Sequence, residues 1–263
     1  MKVAAVQLGL YPDDPDKAVA EVQLLVADAA TRGARLICLP EHWLLSRVIT
    51  SDDVLLERLS GLARRHGVHL NLGANYEKRG RATYLTSHTI SPSGRVISRQ
   101  DKAHLYRRET RAAVAGSGFN LVEVDSVRVG ILVCHDAVFP EAARTVALMG
   151  AELLVVPSMI TAVGSQPWLA YLRARALENR VPIVSPNVLH PPRFLGGSCI
   201  IGLDYDKKDH VMKLVERKAR SRRGSLVVDL KFGTNAAFRR ERLRELVRSD
   251  AIARLYSAAK SYD

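Results

Sequence analysis

Short apolar runs alternate with longer amphipathic stretches through most of the chain. Residues 3–7, 36–39, 129–133, 153–156 and 182–185 carry Val, Ile, Leu and Ala almost without interruption. Runs of that length read as strands buried on both faces. Between them the period changes. Val19, Val22, Leu25 and Val26 form one stripe behind Asp14-Pro15, which predicts an N-cap and first helical turn, and Gly33 closes that helix. Leu55, Leu56, Leu59 and Leu62 form a second stripe, with Ser51-Asp52 as the expected cap and Gly67 as the stop. Helices are also predicted over residues 141–149 and 166–180. Strands are predicted over residues 69–76, 83–90 and 94–98, the last two joined by the turn Ser91-Pro92-Ser93-Gly94. The last third adds strands at 198–203, 211–216 and 225–230. It ends in a helix over about 236–259 that carries Leu243, Leu246, Ile252 and Leu255 among many arginines.

This alternation predicts an α/β protein with one domain over residues 1–263, in which 236–263 forms a helical tail that either caps its own chain or docks on a neighbouring subunit. Two helix-covered sheets packed face to face fit the mixed strands, and so does a doubly wound single sheet; spacing does not choose between them.

Three strand ends carry chemistry. The run 129–133 ends in Cys134-His135-Asp136, just ahead of a helix, so the thiol faces a crevice at a carboxyl strand end. The competing reading is a small buried hydrophobe, the usual behaviour of a free cysteine. The run 36–39 ends in Pro40-Glu41-His42-Trp43, a carboxylate beside an aromatic. After strand 94–98 a loop holds Lys102 and, seven residues on, Glu109. Taken singly, these charges read as solvated. There is no Gly-x-Ser-x-Gly elbow and no phosphate-cradling glycine loop. Cys134 and His135 are neighbours whose side chains would diverge on an extended strand end, which argues against a Cys–His dyad.

Composition narrows the picture. With 47% hydrophobic residues the chain can bury a large core, and no run approaches the length of a membrane helix. The start of the chain enters a strand directly, with no signal segment expected. Three scattered cysteines fit neither a disulfide framework nor a zinc site, and the expected compartment is the reducing cytoplasm. The net charge of +12 is concentrated late, in Lys207-Lys208, Arg217-Lys218, Arg220, Arg222-Arg223 and Arg239-Arg240. Few aromatics are interleaved, so nucleic-acid contact is disfavoured and a solvated basic surface expected.

Taken together and in order, these segments resemble the nitrilase superfamily of carbon–nitrogen hydrolases. Pro40-Glu41 resembles its first motif, Asp101-Lys102-Ala103-His104-Leu105-Tyr106 its second, and Cys134-His135-Asp136 with Phe139-Pro140-Glu141 its third. Val3 to Gln7, Trp168 to Asn179 and Gly196-Gly197-Ser198 resemble flanking elements of the same family. The resemblance implies a four-layer α-β-β-α sandwich that assembles as a homodimer or higher homo-oligomer. It implies a thiol hydrolase of small amides or N-carbamoyl amines, with no cofactor and no metal. Cys134 would be the nucleophile, Glu41 the proton carrier, Lys102 and the His135 backbone N–H the oxyanion donors, and Glu109 a second carboxylate. Trp43, Tyr106, Val138, Met159 and Phe194 are candidate substrate walls. The third motif departs from many relatives in having Val138 where an arginine stands, which favours a neutral, apolar or cationic acyl part over a dicarboxylic one. Asp136, where true nitrilases carry Glu, favours the amidase and carbamoylase branches. The alternatives are a binding module using the basic surface and an acyltransferase on the same fold.

Overall fold

The computed structural model describes residues 1–233 and 236–244. The first half runs β1 (Lys2–Gln7), α1 (Pro15–Thr31), β2 (Leu36–Cys38), β3 (Val48–Ile49), α2 (Val54–His66), β4 (His69–Asn71), β5 (Asn75–Arg79), β6 (Ala82–Ile90), β7 (Val96–Asp101) and α3 (Glu109–Ala112). Next come β8 (Leu121–Val124), β9 (Val127–Ile131), a 3-10 helix over Cys134–Val138, α4 (Pro140–Leu148), β10 (Leu153–Val155) and α5 (Ser165–Asn179). The rest is β11 (Ile183–Ser185), β12 (Leu189–His190), β13 (Phe194–Leu195), β14 (Cys199–Asp206), β15 (Val211–Lys218), β16 (Gly224–Asp229) and α6 (Ala236–Arg244).

The strands form two large sheets. One has the order β16-β1-β2-β4-β6-β5-β3, with β7 also on β6; the other is β15-β14-β11-β10-β9-β8. Alternation along each strand decides what lies on either side. Val3, Ala5, Leu36 and Cys38 from the first sheet meet Val129, Ile131, Leu153, Val155, Val184 and Ile200 from the second, in one core between the sheets. The alternate residues Ala4, Val6, Ile37 and Leu39 turn outward onto Val19, Val22 and Val26 of α1 and Leu55, Leu59 and Leu62 of α2. On the second sheet Leu154, Ile183 and Ile201 pack on Val146 of α4 and on Leu172 and Ala176 of α5. The result is an α-β-β-α sandwich, and it explains the unbroken apolar runs: a strand buried on both faces has no polar face to alternate.

Helix ends follow local chemistry. Asp14 caps α1, its Oδ1 accepting from Lys17 N at 2.9 Å. The cap of α2 is Asp53 rather than Ser51-Asp52, accepting from Leu55 N at 2.8 Å. Gly67 ends α2 in the left-handed region, at φ 61°. The run expected as one strand over 69–76 is broken into β4 and β5 at Gly73. Gly73 has φ 66°, and a Cβ there would lie 1.8 Å from Pro40 O. Only glycine lets the end of β2 pass so close.

The described part of the terminal helix caps its own chain. Phe238 stacks on Tyr205 with centroids 3.8 Å apart, Arg180 Nη1 donates to Phe238 O at 2.7 Å, and Leu243 packs on the α4–α5 core. The rest of the expected helix, with Leu246, Ile252 and Leu255, lies outside the described residues. No helix among the described residues is long and apolar enough to cross a membrane.

Candidate active site

The sandwich brings three strand ends to one place. Glu41 follows β2, Lys102 follows β7, and Cys134 follows β9 by way of Leu132-Val133. Lys102, expected in a loop, is held against the sheet. Its N–H donates to Leu85 O at 2.8 Å, its carbonyl accepts from Gly116 N at 2.8 Å, and the side chain is fully buried. Lys102 Nζ lies 2.8 Å from Glu41 Oε1 and 2.9 and 2.8 Å from the two oxygens of Glu109. Glu109 is therefore no surface partner of the neighbouring arginines. It opens α3, is buried, and its Oε2 accepts from Tyr106 N at 2.7 Å.

The charges are mutually dependent. Burial opposes the Lys102 ammonium, but Glu41, Cys134 and Glu109 together hold its pKa above the usual lysine range. Burial alone would raise the Glu109 carboxyl; hydrogen bonds from His42, Lys102 and the Tyr106 N–H reverse this and hold it at about 2. The Cys134 thiol is pushed well up by burial and by Glu41, against the opposing pull of Lys102 and an N–H from Met159. Lys102 thus favours the thiolate, as its charge requires, and is outweighed. Glu41, His42 and Glu109 bring three possible ligand atoms within 4.8 Å of one another, but the cation of this cluster is the Lys102 ammonium, bonded to both carboxylates.

Cys134 itself sits at φ 44°, in the left-handed region that non-glycine residues rarely adopt. Such strain is held only by over-determined surroundings, and these are visible. Cys134 N donates to Pro157 O at 2.9 Å. Asp136, fully buried, accepts from Val133 N at 3.0 Å and from His104 N and Nδ1 at 2.8 and 2.9 Å, tying the Lys102 loop to the Cys134 turn. Arg175 of α5 donates from Nε to Ala137 O at 2.9 Å and from Nη2 to Val138 O at 2.6 Å.

The chain matches the carbon–nitrogen hydrolase family model over residues 2–206. It belongs to the carbon–nitrogen hydrolase family. A nitrilase of Pyrococcus abyssi is 30% identical across 76% of this chain and 80% of its own length. A citrullinase of Francisella tularensis is 28% identical across 71% of this chain and 73% of its own. Among solved structures, an amidase from Nesterenkonia sp. is 26% identical with a TM-score of 0.80, covering 97% of this chain and 96% of that one. One structure of the Nesterenkonia enzyme carries the acetamide moiety of fluoroacetamide on its active-site cysteine, at 25% identity to this chain.

The remaining expected residues of this family member fall in different places. Trp43 is buried in the outer core, with Nε1 donating to Leu72 O at 2.9 Å; it packs under α1 and α2 and is not a cleft wall. Tyr106 is exposed, its ring 4.9 Å from that of His135. Val138 is half-buried against the α4–α5 core. Met159 and Phe194 meet Leu10, Leu45 and Val188 in a small apolar cluster. The His135 N–H has no acceptor among the described residues. Arg175 and Asp136 are the supports that reading the sequence missed, whereas His42 and His104 read as histidines available for structural roles. Asp136 and Arg175 lay inside quoted motifs, but no local signal says what an arginine on a helix will reach.

Proposed function

We propose that this chain is a thiol hydrolase of small amides with a neutral, apolar acyl part, working through a thioester on Cys134. The observation that carries the reading is the buried ammonium of Lys102 bonded to both Glu41 and Glu109, in a cluster whose charges act on the Cys134 thiol. Because the thiol pKa is raised, a standing thiolate is not the resting form. Glu41 takes the proton as sulfur attacks the amide carbonyl, and the S–C bond forms. The oxyanion is met by Lys102 and the His135 N–H, groups already in place; one such donor is worth about 3 kcal/mol. The C–N bond breaks as Glu41 passes its proton to the leaving nitrogen. Water then attacks the thioester, Glu41 accepts its proton, and the proton returns to sulfur as the acid leaves. Glu109 holds Lys102 on its second side.

The small apolar group of Met159, Phe194, Leu10, Leu45 and Val188 supports an apolar acyl part. Val138 supplies no charge for a substrate carboxylate. An N-carbamoyl amine is the second reading, favoured by the citrullinase relative. Ammonia release from aliphatic, aromatic and N-carbamoyl amides, with carbon dioxide followed alongside, tests both. Loss of ammonia in Cys134→Ala supports thiol chemistry, and co-released carbon dioxide moves the substrate to the carbamoyl class. Faster turnover of α-ketoglutaramate than of aliphatic amides would sink the apolar assignment.

A further inference from the structure

The residue after Glu41 is built into the same charge cluster. His42 has φ 52°, a left-handed backbone for a non-glycine residue, and its N–H is fixed on Ala74 O at 2.8 Å. That twist sends the imidazole back toward the catalytic groups rather than along the strand. Nε2 lies 3.1 Å from Glu109 Oε1, the oxygen that also accepts from Lys102 Nζ at 2.9 Å. The other ring nitrogen, Nδ1, has no hydrogen-bond partner among the described residues, yet it is not one of the buried atoms left unpaired. One nitrogen is thus anchored and the other is reachable by water. His88 offers a contrast: its Nε2 also meets a carboxylate, Glu77, but the side chain is 1% exposed against 15% for His42.

We propose that His42 is a positioning residue of this centre, which in its neutral form holds Glu109 on Lys102 and which on protonation sets the lower pH limit of turnover. The inference rests on the thiol-hydrolase reading above. Neutral imidazole donates one N–H to Glu109 Oε1 and leaves Lys102 shared between two carboxylates. With the thiol protonated, Glu41, Glu109 and Lys102 sum to one negative charge. An imidazolium brings that sum to zero and competes with Lys102 for Glu109. Lys102 then leans on Glu41, and a carboxylate held more tightly by an ammonium is a poorer base. Other titratable groups face the same cluster: Tyr76, whose ring is 5.2 Å from His42, and, following β9, Cys134 and His135, the latter with its pKa lowered by burial and by Lys102. His135 is the rival imidazole, and the test separates the two.

The test follows kcat and KM against pH for wild type, His42→Gln, His42→Leu and His135→Gln, on whichever amide the panel identifies. Glutamine keeps a donor near the Nε2 position without titrating there. The expected result is an acidic limb in wild type and in His135→Gln that moves down by roughly one pH unit or more in His42→Gln. His42→Leu should lose about tenfold in kcat, with KM less affected, and His42→Gln should recover most of that loss. An unmoved limb in His42→Gln, or wild-type kcat in His42→Leu, would overturn the inference. A second readout needs no substrate. The His42 ring proton titration, followed by NMR, should move to lower pH in Glu109→Gln, because the anion beside Nε2 is gone. An unchanged titration would also overturn it. Since that shift is measured whether or not any amide is turned over, failure of the hydrolase reading and failure of this one are distinguishable.

Discussion

Replacing Glu109 by glutamine keeps its shape and removes its charge, and the cost should depend on pH in a defined way. The folded carboxyl sits at about 2 instead of its usual 4.5, held down against burial by His42, Lys102 and the Tyr106 N–H. A carboxylate with a depressed folded pKa contributes stability that is present above the unfolded pKa and lost as pH falls through the folded one. The drop from 4.5 to about 2 corresponds to about 3 kcal/mol at neutral pH. Integrated over the titration, about 2 kcal/mol of it should vanish between pH 7 and pH 3. Urea unfolding of wild type and Glu109→Gln at a series of pH values isolates the difference, because every other carboxylate titrates in both proteins. Wild type should be the more stable near pH 7, and the gap should narrow steadily below pH 5. Two stability curves that stay parallel from pH 7 to pH 3 would refute the argument that Glu109 is held ionised by this network.

Other substitutions probe the supports of the Cys134 turn. Arg175→Leu removes two charge-assisted bonds to Ala137 O and Val138 O. It should lower stability by about 3 kcal/mol in urea and kcat by at least roughly tenfold; a loss of stability without a loss of kcat would mean the clamp does not orient Cys134. Asp136→Ala strands three N–H donors of Val133 and His104, and a cost of about 3 kcal/mol is expected by thermal or chemical unfolding. Gly73→Ala places a Cβ on the Pro40 carbonyl at positive φ. It should cost about 2 kcal/mol or more and reduce turnover through displacement of Glu41; an active, fully stable variant would show that the end of β2 can move aside.

Much of this arrangement is legible in the sequence. The apolar runs ending at Leu39 and Val133 marked strands buried on both faces, and charged or reactive residues placed just beyond such runs marked the end of the sheets where the proposed site lies. Motif order added Lys102 and Glu109. Where the reading failed, the cause was a long-range contact. The run 69–76 alternates polar and apolar residues as one strand would, and it breaks because Gly73 must pass the backbone of Pro40, a neighbour it meets only in the folded sheet. Trp43 stands two residues from Glu41 and reads as a site aromatic. The left-handed backbone at His42 puts the imidazole on Glu109 instead, while the indole enters the outer core and bonds Leu72 O.

By itself the sequence determined the elements, the two-faced burial of the central strands and the identities of the charged groups at their ends, because period and composition are local properties. Only the tertiary structure decided which charges share a site and in what ionisation state. Lys102 and Glu109 read as solvated when each is taken alone, and become a buried, mutually held pair only when β2, β7 and α3 meet. Their charges depend on distance and desolvation, and neither exists along a chain until it folds.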